Sequence, residues 1–140
     1  MKYLLDTCLI SELVVKSPNL RVVQWVDEQD PANLFLSVIT IGEISKGIAK
    51  LIDSRRKQKL ESWLQNELLQ RFSQNILSIN MDVMLVWGRL MAALELKGRI
   101  MALMDSLIAA LALHGNLHLV TRNEDDFINA GISILNPWKE

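Results

Sequence analysis

Three carboxylates stand at positions where side chains from separate segments could meet. Asp6 follows an apolar run at residues 3–5, and Glu43 lies one to two helical turns beyond a second run. Asp105 begins the most apolar helical pattern of the chain. Because clustered carboxylates repel one another, they favour a cation, and an all-oxygen ligand set favours Mg²⁺ or Mn²⁺. Such an ion activates water and stabilises phosphoryl charge, which is the chemistry of phosphodiester hydrolysis.

Each carboxylate taken alone also has a structural explanation. Asp6 could cap a helix that begins near Cys8, and an acid such as Asp105 at a helix start interacts favourably with the helix dipole. Glu43 follows Thr40 by three residues, which is the spacing of a capping box. Capping does not require three acids at one end of a sheet, so we interpret the set as a site.

Short apolar runs and helical patterns alternate along the chain and must position these acids. The runs do not alternate in polarity, as expected of strands covered on both faces, and they lie at residues 3–5, 34–37, 76–79, 117–121 and 132–135. Helical periodicity fills the gaps, for example from Val83 to Leu96 with Asp82 as the expected N-cap. Gly115 and Asn116 are expected to end the helix that starts at Asp105.

This alternation predicts a single α/β domain over residues 1–140, with a largely parallel sheet and helices on both faces. Ligands of such sheets bind beyond the carboxyl ends of the strands. Asp6 and the segment from Thr121 to Asp126 follow predicted strands directly, so they are expected at that edge.

Composition narrows the class of protein. The chain is half hydrophobic, and its net charge of −1 neither supports nor excludes a nucleic-acid substrate. Its single cysteine permits neither an intrachain disulfide nor a cysteine zinc site. No apolar run reaches the roughly 20 residues of a membrane span, and Asp6 argues against a signal peptide. We therefore expect a cytoplasmic protein without a membrane partner.

Candidate substrate-binding residues are basic or carry a hydroxyl. Lys46 shares a helix face with Glu43, where it would either pair with that acid or meet RNA phosphates. Arg122 sits at a strand end and could clamp a phosphate. Thr7 and Thr121 could bond the carboxylates or water. The two histidines, His114 and His118, flank helix-breaking residues, which argues against a zinc pair.

The segments that carry the acids resemble, in order, the motifs of one family. Residues 4–12 resemble the opening of PIN-domain ribonucleases of the VapC and FitB toxin type. Residues 36–44 look like the second motif, residues 105–110 like the third, and residues 120–127 and 136–138 like the last motif and the C-terminus. No single motif is diagnostic, but the ordered set covers nearly the whole chain and is quite specific.

The resemblance implies a three-layer fold with a five-stranded parallel sheet in the order 3-2-1-4-5, a Mg²⁺ or Mn²⁺ cofactor, and RNA as the substrate. It maps three metal-binding acids onto Asp6, Glu43 and Asp105. Many relatives carry a further aspartate where this chain has Asn123, whose amide brings no charge, although Asp126 in the same loop could compensate. The resemblance also implies a toxin restrained by a cognate antitoxin, and a homodimer.

Two other function classes share parts of this pattern. A signalling receiver domain would need an acid pair after the first strand, but Asp6 is followed by Thr7. A catalytically inactive PIN-fold module that only binds proteins is the stronger alternative, because Asn123 departs from the family pattern. The intact set of Asp6, Glu43 and Asp105 favours the metal-dependent endoribonuclease.

Overall fold

The centre of the molecule is a parallel sheet. In the computed structural model, which describes residues 1–139, its strands are β1 (Tyr3–Leu5), β2 (Leu34–Ser37), β3 (Ile76–Leu77), β4 (His118–Val120) and β5 (Ile134–Leu135). Every neighbouring pair is parallel, and the order is β3-β2-β1-β4-β5. The predicted fold class and strand order are therefore confirmed. Glu140, the last residue of the predicted domain, lies outside the described residues.

Helices connect the strands. They are α1 (Thr7–Val14), α2 (Leu20–Glu28), α3 (Val38–Ala49), α4 (Arg55–Trp63), α5 (Leu69–Arg71), α6 (Met81–Leu96), α7 (Leu103–Gly115) and α8 (Glu124–Phe127). A π-helical turn at Leu64–Leu68 joins α4 to α5, and a 3₁₀ turn at Pro31–Asn33 precedes β2. Within residues 1–139, no helix is both long enough and apolar enough to cross a bilayer.

Successive residues of the central strands enter two different hydrophobic cores. Leu4 and Leu119 pack with α6 and α7 on one face of the sheet. Leu5 and Val120 pack with the first three helices and the π-helical turn on the other face. All four side chains are essentially inaccessible to solvent. Burial on both faces explains why the strands read as apolar runs rather than as alternating patterns.

Several element ends differ from the sequence-based expectations. The two outer strands, β3 and β5, have two residues each instead of four, since each has a sheet neighbour on one side only. Helix α6 is capped by Asn80, whose Oδ1 accepts a 3.0 Å hydrogen bond from the Val83 amide, so the prediction that Asp82 is the cap is wrong. Asn116 ends α7 in the left-handed conformation, as expected.

The N-terminus of α3 also corrects an expectation. Ser37 is its N-cap, and Ser37 Oγ accepts a 3.1 Å hydrogen bond from the Thr40 amide. Thr40 is therefore inside the helix, and the capping-box explanation for Glu43 does not hold. Glu43 lies in the second turn of α3, beyond the unpaired amides of the first turn, so neither capping nor the helix dipole explains a carboxylate at this position.

Candidate active site

Two neighbouring strands bring Asp6 and Thr121 together at the carboxyl edge of the sheet. Asp6 follows β1 and Thr121 follows β4, and the Asp6 amide donates to the Val120 carbonyl at 3.0 Å. This register places the Thr121 hydroxyl where it donates to Asp6 Oδ2 at 2.8 Å. Thr121 also accepts from the Asn123 amide at 3.0 Å, so one buried hydroxyl fixes both the acid and the following loop.

Asp6 combines the capping role with that of a buried acid. Its Oδ1 accepts from the Thr7 amide at 2.9 Å as the N-cap of α1, while Cys8 Sγ lies 3.8 Å from Oδ2. Burial raises the pKa of Asp6, the hydrogen bonds from Thr121 and Thr7 oppose that rise, and the nearby charge of Glu43 adds to it. Each oxygen keeps lone pairs beyond these bonds, so the carboxylate remains able to bind a cation.

Glu43 stands at the end of a chain of three hydroxyl groups. Thr7 Oγ1 donates to Glu43 Oε1 at 2.7 Å and lies 3.0 Å from Thr40 Oγ1, and Ser37 Oγ donates to Thr40 Oγ1 at 3.4 Å. Because each hydroxyl carries a single proton, the donation by Thr7 to Glu43 requires Thr40 to donate to Thr7. The chain therefore runs from Ser37 through Thr40 and Thr7 to the carboxylate, and it fixes the position of Oε1.

Asp105 lies in the first turn of α7, where it faces the other acids. Burial and the charges of Asp126, Asp6 and Glu43 raise the pKa of Asp105 to about 6. Four carboxylates from four separate segments thus act on one another at one edge of the sheet. The structure therefore brings together the three principal predicted acids and Asp126. These residues are far apart in the sequence, and it is the topology of the fold that makes them neighbours.

The remaining predicted residues surround this cluster. Asn123 is exposed, and its hydrogen bond to the site is made by its backbone. Arg122 stacks over Trp138, with its guanidinium carbon 5.2 Å from the ring centroid. Lys46 lines a groove beside Glu43 and, among residues 1–139, makes no ion pair. Lys46 therefore does not pair with Glu43, which was the alternative role for this lysine.

Sequence reasoning missed Ser37, Thr40 and Cys8 as parts of the site. Thr40 lies three residues before Glu43 and so on its helix face, but from the sequence this spacing fits a capping box equally well. Ser37 and Thr40 are both almost fully buried, which the sequence alone does not reveal. Cys8 is partly buried, and its sulfur lies 3.4 Å from Thr121 Oγ1.

The donor set suits a hard divalent cation. Carboxylate oxygens are the preferred ligands of Mg²⁺ and Mn²⁺. Such a cation would relieve the repulsion that, in addition to burial, raises the pKa of Asp105. In the described part of the chain, no three His, Cys, Asp or Glu side chains are placed so that they could hold a metal ion together as they stand. Glu43 is exposed, although Thr7 holds its Oε1, and Asp105 is half-buried, so both carboxylates are accessible to an ion from solution.

Comparisons with known proteins agree with this geometry. The family model described as PIN domain matches residues 3–132. The toxin FitB of Neisseria gonorrhoeae is 33% identical over 98% of this chain and 99% of its own length. The VapC ribonuclease Y4jK of Sinorhizobium fredii is also 33% identical, over 96% of each chain.

Solved structures show the same fold. The crystal structure of FitAcB from Neisseria gonorrhoeae superposes with a TM-score of 0.94, covers 99% of both chains and is 33% identical. A toxin–antitoxin complex from Klebsiella pneumoniae superposes with a TM-score of 0.68 at 27% identity, covering 97% of this chain and 98% of that one. By its motifs, its fold and these matches, the chain belongs to the PIN domain family.

Proposed function

We propose that this protein is a divalent-metal-dependent endoribonuclease and the toxin of a toxin–antitoxin pair. The observation that carries the proposal is the convergence of Asp6, Glu43 and Asp105, from three separate segments, at one edge of the sheet. The names of two full-length relatives, a toxin and a ribonuclease, support it. They also disfavour the alternative of an inactive protein-binding module.

Each residue has a distinct role in this proposal. Asp6, Glu43 and Asp105 would hold Mg²⁺ or Mn²⁺, with Asn123 and Asp126 as auxiliary groups. A cation bound there would supply an activated water and stabilise charge on the scissile phosphate. Thr121 fixes Asp6 and Thr7 fixes Glu43, so the two carboxylates are oriented before a substrate arrives. The cationic side chains of Lys46 and Arg122 would meet RNA phosphates.

The partners follow from the same proposal. We expect RNA as the substrate, a cognate antitoxin as a protein partner and the cytoplasm as the location. We also expect a homodimer. Its support is the exposure of two large apolar side chains where α6 ends and the chain turns toward α7, because Leu96 is 89% exposed and Ile100 is 98% exposed. Neighbouring exposed apolar side chains of this kind can form the centre of a protein interface.

The direct test is brief expression of the protein in a bacterium, followed by sequencing of RNA ends. Wild type should stop growth and create new RNA ends, whereas Asp6→Asn should do neither. Co-expression of a small gene encoded beside it should restore growth, and light scattering on the purified protein should give twice the monomer mass of 15.9 kDa. Equal growth and identical RNA ends for the two strains would contradict the proposal.

Thr40 is expected to act as a positioning residue for Glu43. Thr40→Val keeps the shape of the side chain but removes the hydroxyl that donates to Thr7. A hydrogen bond in such a charged chain contributes about 1.5 kcal/mol, so kcat should fall by about tenfold while KM changes little. Thr40→Ser restores the hydroxyl and should restore most of kcat, which a purely structural role would not predict. A Thr40→Val variant with wild-type kcat would exclude the hydroxyl chain from catalysis.

A further inference from the structure

A groove runs along one side of α3 and passes Glu43 of the candidate active site. It encloses about 550 Å³, and its lining includes Val38, Gly42, Glu43, Lys46, Lys50 and Met104. Glu43 belongs to the acidic cluster, and Met104 directly precedes Asp105 at the start of α7. Whatever occupies the groove therefore lies beside the reacting atoms of the proposed nuclease.

The floor of the groove is bare helix surface. Gly42 and Gly47 lie inside α3, and a Cβ atom added to either would meet no other heavy atom within 4 Å. Neither packing nor backbone conformation therefore requires glycine at these two positions. Glycine is also among the least favourable residues in a helix interior. What the two glycines provide is space next to Glu43.

The walls and the rim of the groove differ in chemistry. Val38 is 38% exposed and Met104 is 51% exposed, so both offer apolar surface to an occupant. Lys46 and Lys50 stand one helical turn apart along the same stripe, and within residues 1–139 neither forms an ion pair. A bare floor between apolar walls, edged by unpaired ammonium groups, is complementary to a nucleotide, which joins a flat apolar base to an anionic phosphate.

We propose that this groove binds the nucleotide next to the scissile phosphate, with its base over Gly42 and Met104 and its phosphate near Lys46. The groove then determines which position of a single-stranded RNA is cut. This inference rests on the proposed ribonuclease function and deepens it, since it names the part of the surface that reads the substrate. A segment of a partner protein is the competing occupant, and the experiment separates the two.

The test fills the groove without harming the helix. Gly42→Leu places a side chain in the open space, and Gly88→Leu is the matched control, because Gly88 is an exposed α6 residue whose added Cβ also meets nothing within 4 Å. Leucine favours helix over glycine, so both variants should melt about 3 °C above wild type. Only Gly42→Leu should lower kcat/KM on single-stranded RNA, by about tenfold or more, and shift the distribution of cut sites.

Binding gives a second readout that does not depend on cleavage. In an Asp105→Asn background, Gly42→Leu should weaken binding of a fluorescein-labelled oligoribonucleotide by about tenfold, measured by anisotropy. An oligonucleotide that lacks the base at one position should bind the Asp105→Asn protein more weakly than the complete oligonucleotide does. The double variant with Gly42→Leu should bind the two oligonucleotides about equally, because Leu already fills the groove. Gly42→Ala, which adds a single methyl group, should change both readouts in the same direction and by less.

The possible outcomes distinguish the two proposals. If wild type cleaves RNA and Gly42→Leu cleaves at the same rate and the same sites, the groove does not read RNA. If Gly42→Leu loses only the binding of its antitoxin, the occupant is protein and the inference is overturned. If wild type does not cleave RNA at all, the proposed function fails, while the anisotropy measurement still decides whether the groove binds a nucleotide.

Discussion

Replacing Asp105 with asparagine is expected to abolish RNA cleavage and, in metal-free protein above pH 6, to raise the melting temperature. Loss of one of three carboxylates that would hold the cation should lower kcat/KM by on the order of 10³-fold. The gain in stability has a different origin. Burial and the charges of Asp126, Asp6 and Glu43 disfavour the ionised Asp105 carboxylate, whereas a neutral amide is not repelled and loses less on burial.

The direction of the pH dependence follows from the raised pKa of Asp105. The pKa of this carboxyl moves from 3.8 to about 6 on folding, so the folded state binds the proton more tightly than the unfolded state. Its contribution to stability is complete below pH 3.8 and is lost as the pH rises through about 6. The difference in melting temperature between Asp105→Asn and wild type should therefore grow over this interval in the presence of a chelator.

Asp82→Asn is a suitable control for this measurement. Asp82 is also an acid in the first turn of a helix, α6, but it is exposed and does not act on Asp105. Loss of its favourable interaction with the helix dipole should lower the melting temperature slightly. If Asp105→Asn also lowered the melting temperature slightly, the carboxylates would not repel one another in solution, and a cation would not be needed to neutralise them.

The positions of the principal acids could be predicted because they depend on topology. A residue that directly follows β1 or β4 must emerge at the carboxyl edge of a parallel sheet, which placed Asp6 and Thr121 correctly. Asp105 reaches the same edge because α7 runs back across the sheet. Strand order came from the resemblance of the motifs, since apolar runs alone do not specify which strands are neighbours.

The contacts that orient the acids could not be predicted, because they depend on the packing of separate elements. The hydroxyl chain needs α1 and α3 to lie within hydrogen-bond distance, and nothing within either segment encodes the 3.0 Å separation of Thr7 Oγ1 and Thr40 Oγ1. Local signals were also ambiguous. Ser37 and Thr40 are both plausible caps, and only the backbone shows that Ser37 takes that role.

The groove illustrates a third limit of the sequence. Gly42 and Gly47 are isolated glycines in a helical pattern, and glycine is unfavourable in a helix interior, but the pattern gives no reason for their presence. The structure shows that the space above both glycines is open and adjoins Glu43, which suits a site where a ligand lies against the helix. The sequence shows that these two positions have no side chain, but only the packing of α3 beside α7 shows that a groove lies above them.

Removal of divalent cations is expected to reduce RNA cleavage to background, and restored activity should yield 5′-phosphate and 3′-hydroxyl ends. Metal-free ribonucleases commonly use histidine as the acid and base, because imidazole titrates near neutral pH. Both histidines lie away from the acids. His118 begins β4 and contacts Ser133, while His114 is roughly 13 Å along α7 from Asp105 at 1.5 Å per residue.

The groups that reach the carboxyl edge are the carboxylates of Asp6, Glu43 and Asp105. Because a cation held by them would activate water, water is expected to be the nucleophile rather than the RNA 2′-hydroxyl. EDTA should stop cleavage, excess Mg²⁺ or Mn²⁺ should restore it, and His114→Ala should cleave as wild type does. Mn²⁺ should also raise the melting temperature, by an amount equivalent to about 2.7 kcal/mol at a hundredfold excess over Kd, and Asp6→Asn should lose most of that rise. Products that end in 2′,3′-cyclic phosphate, or a rate unchanged by EDTA, would show that Asp6, Glu43 and Asp105 do not have the roles proposed for them.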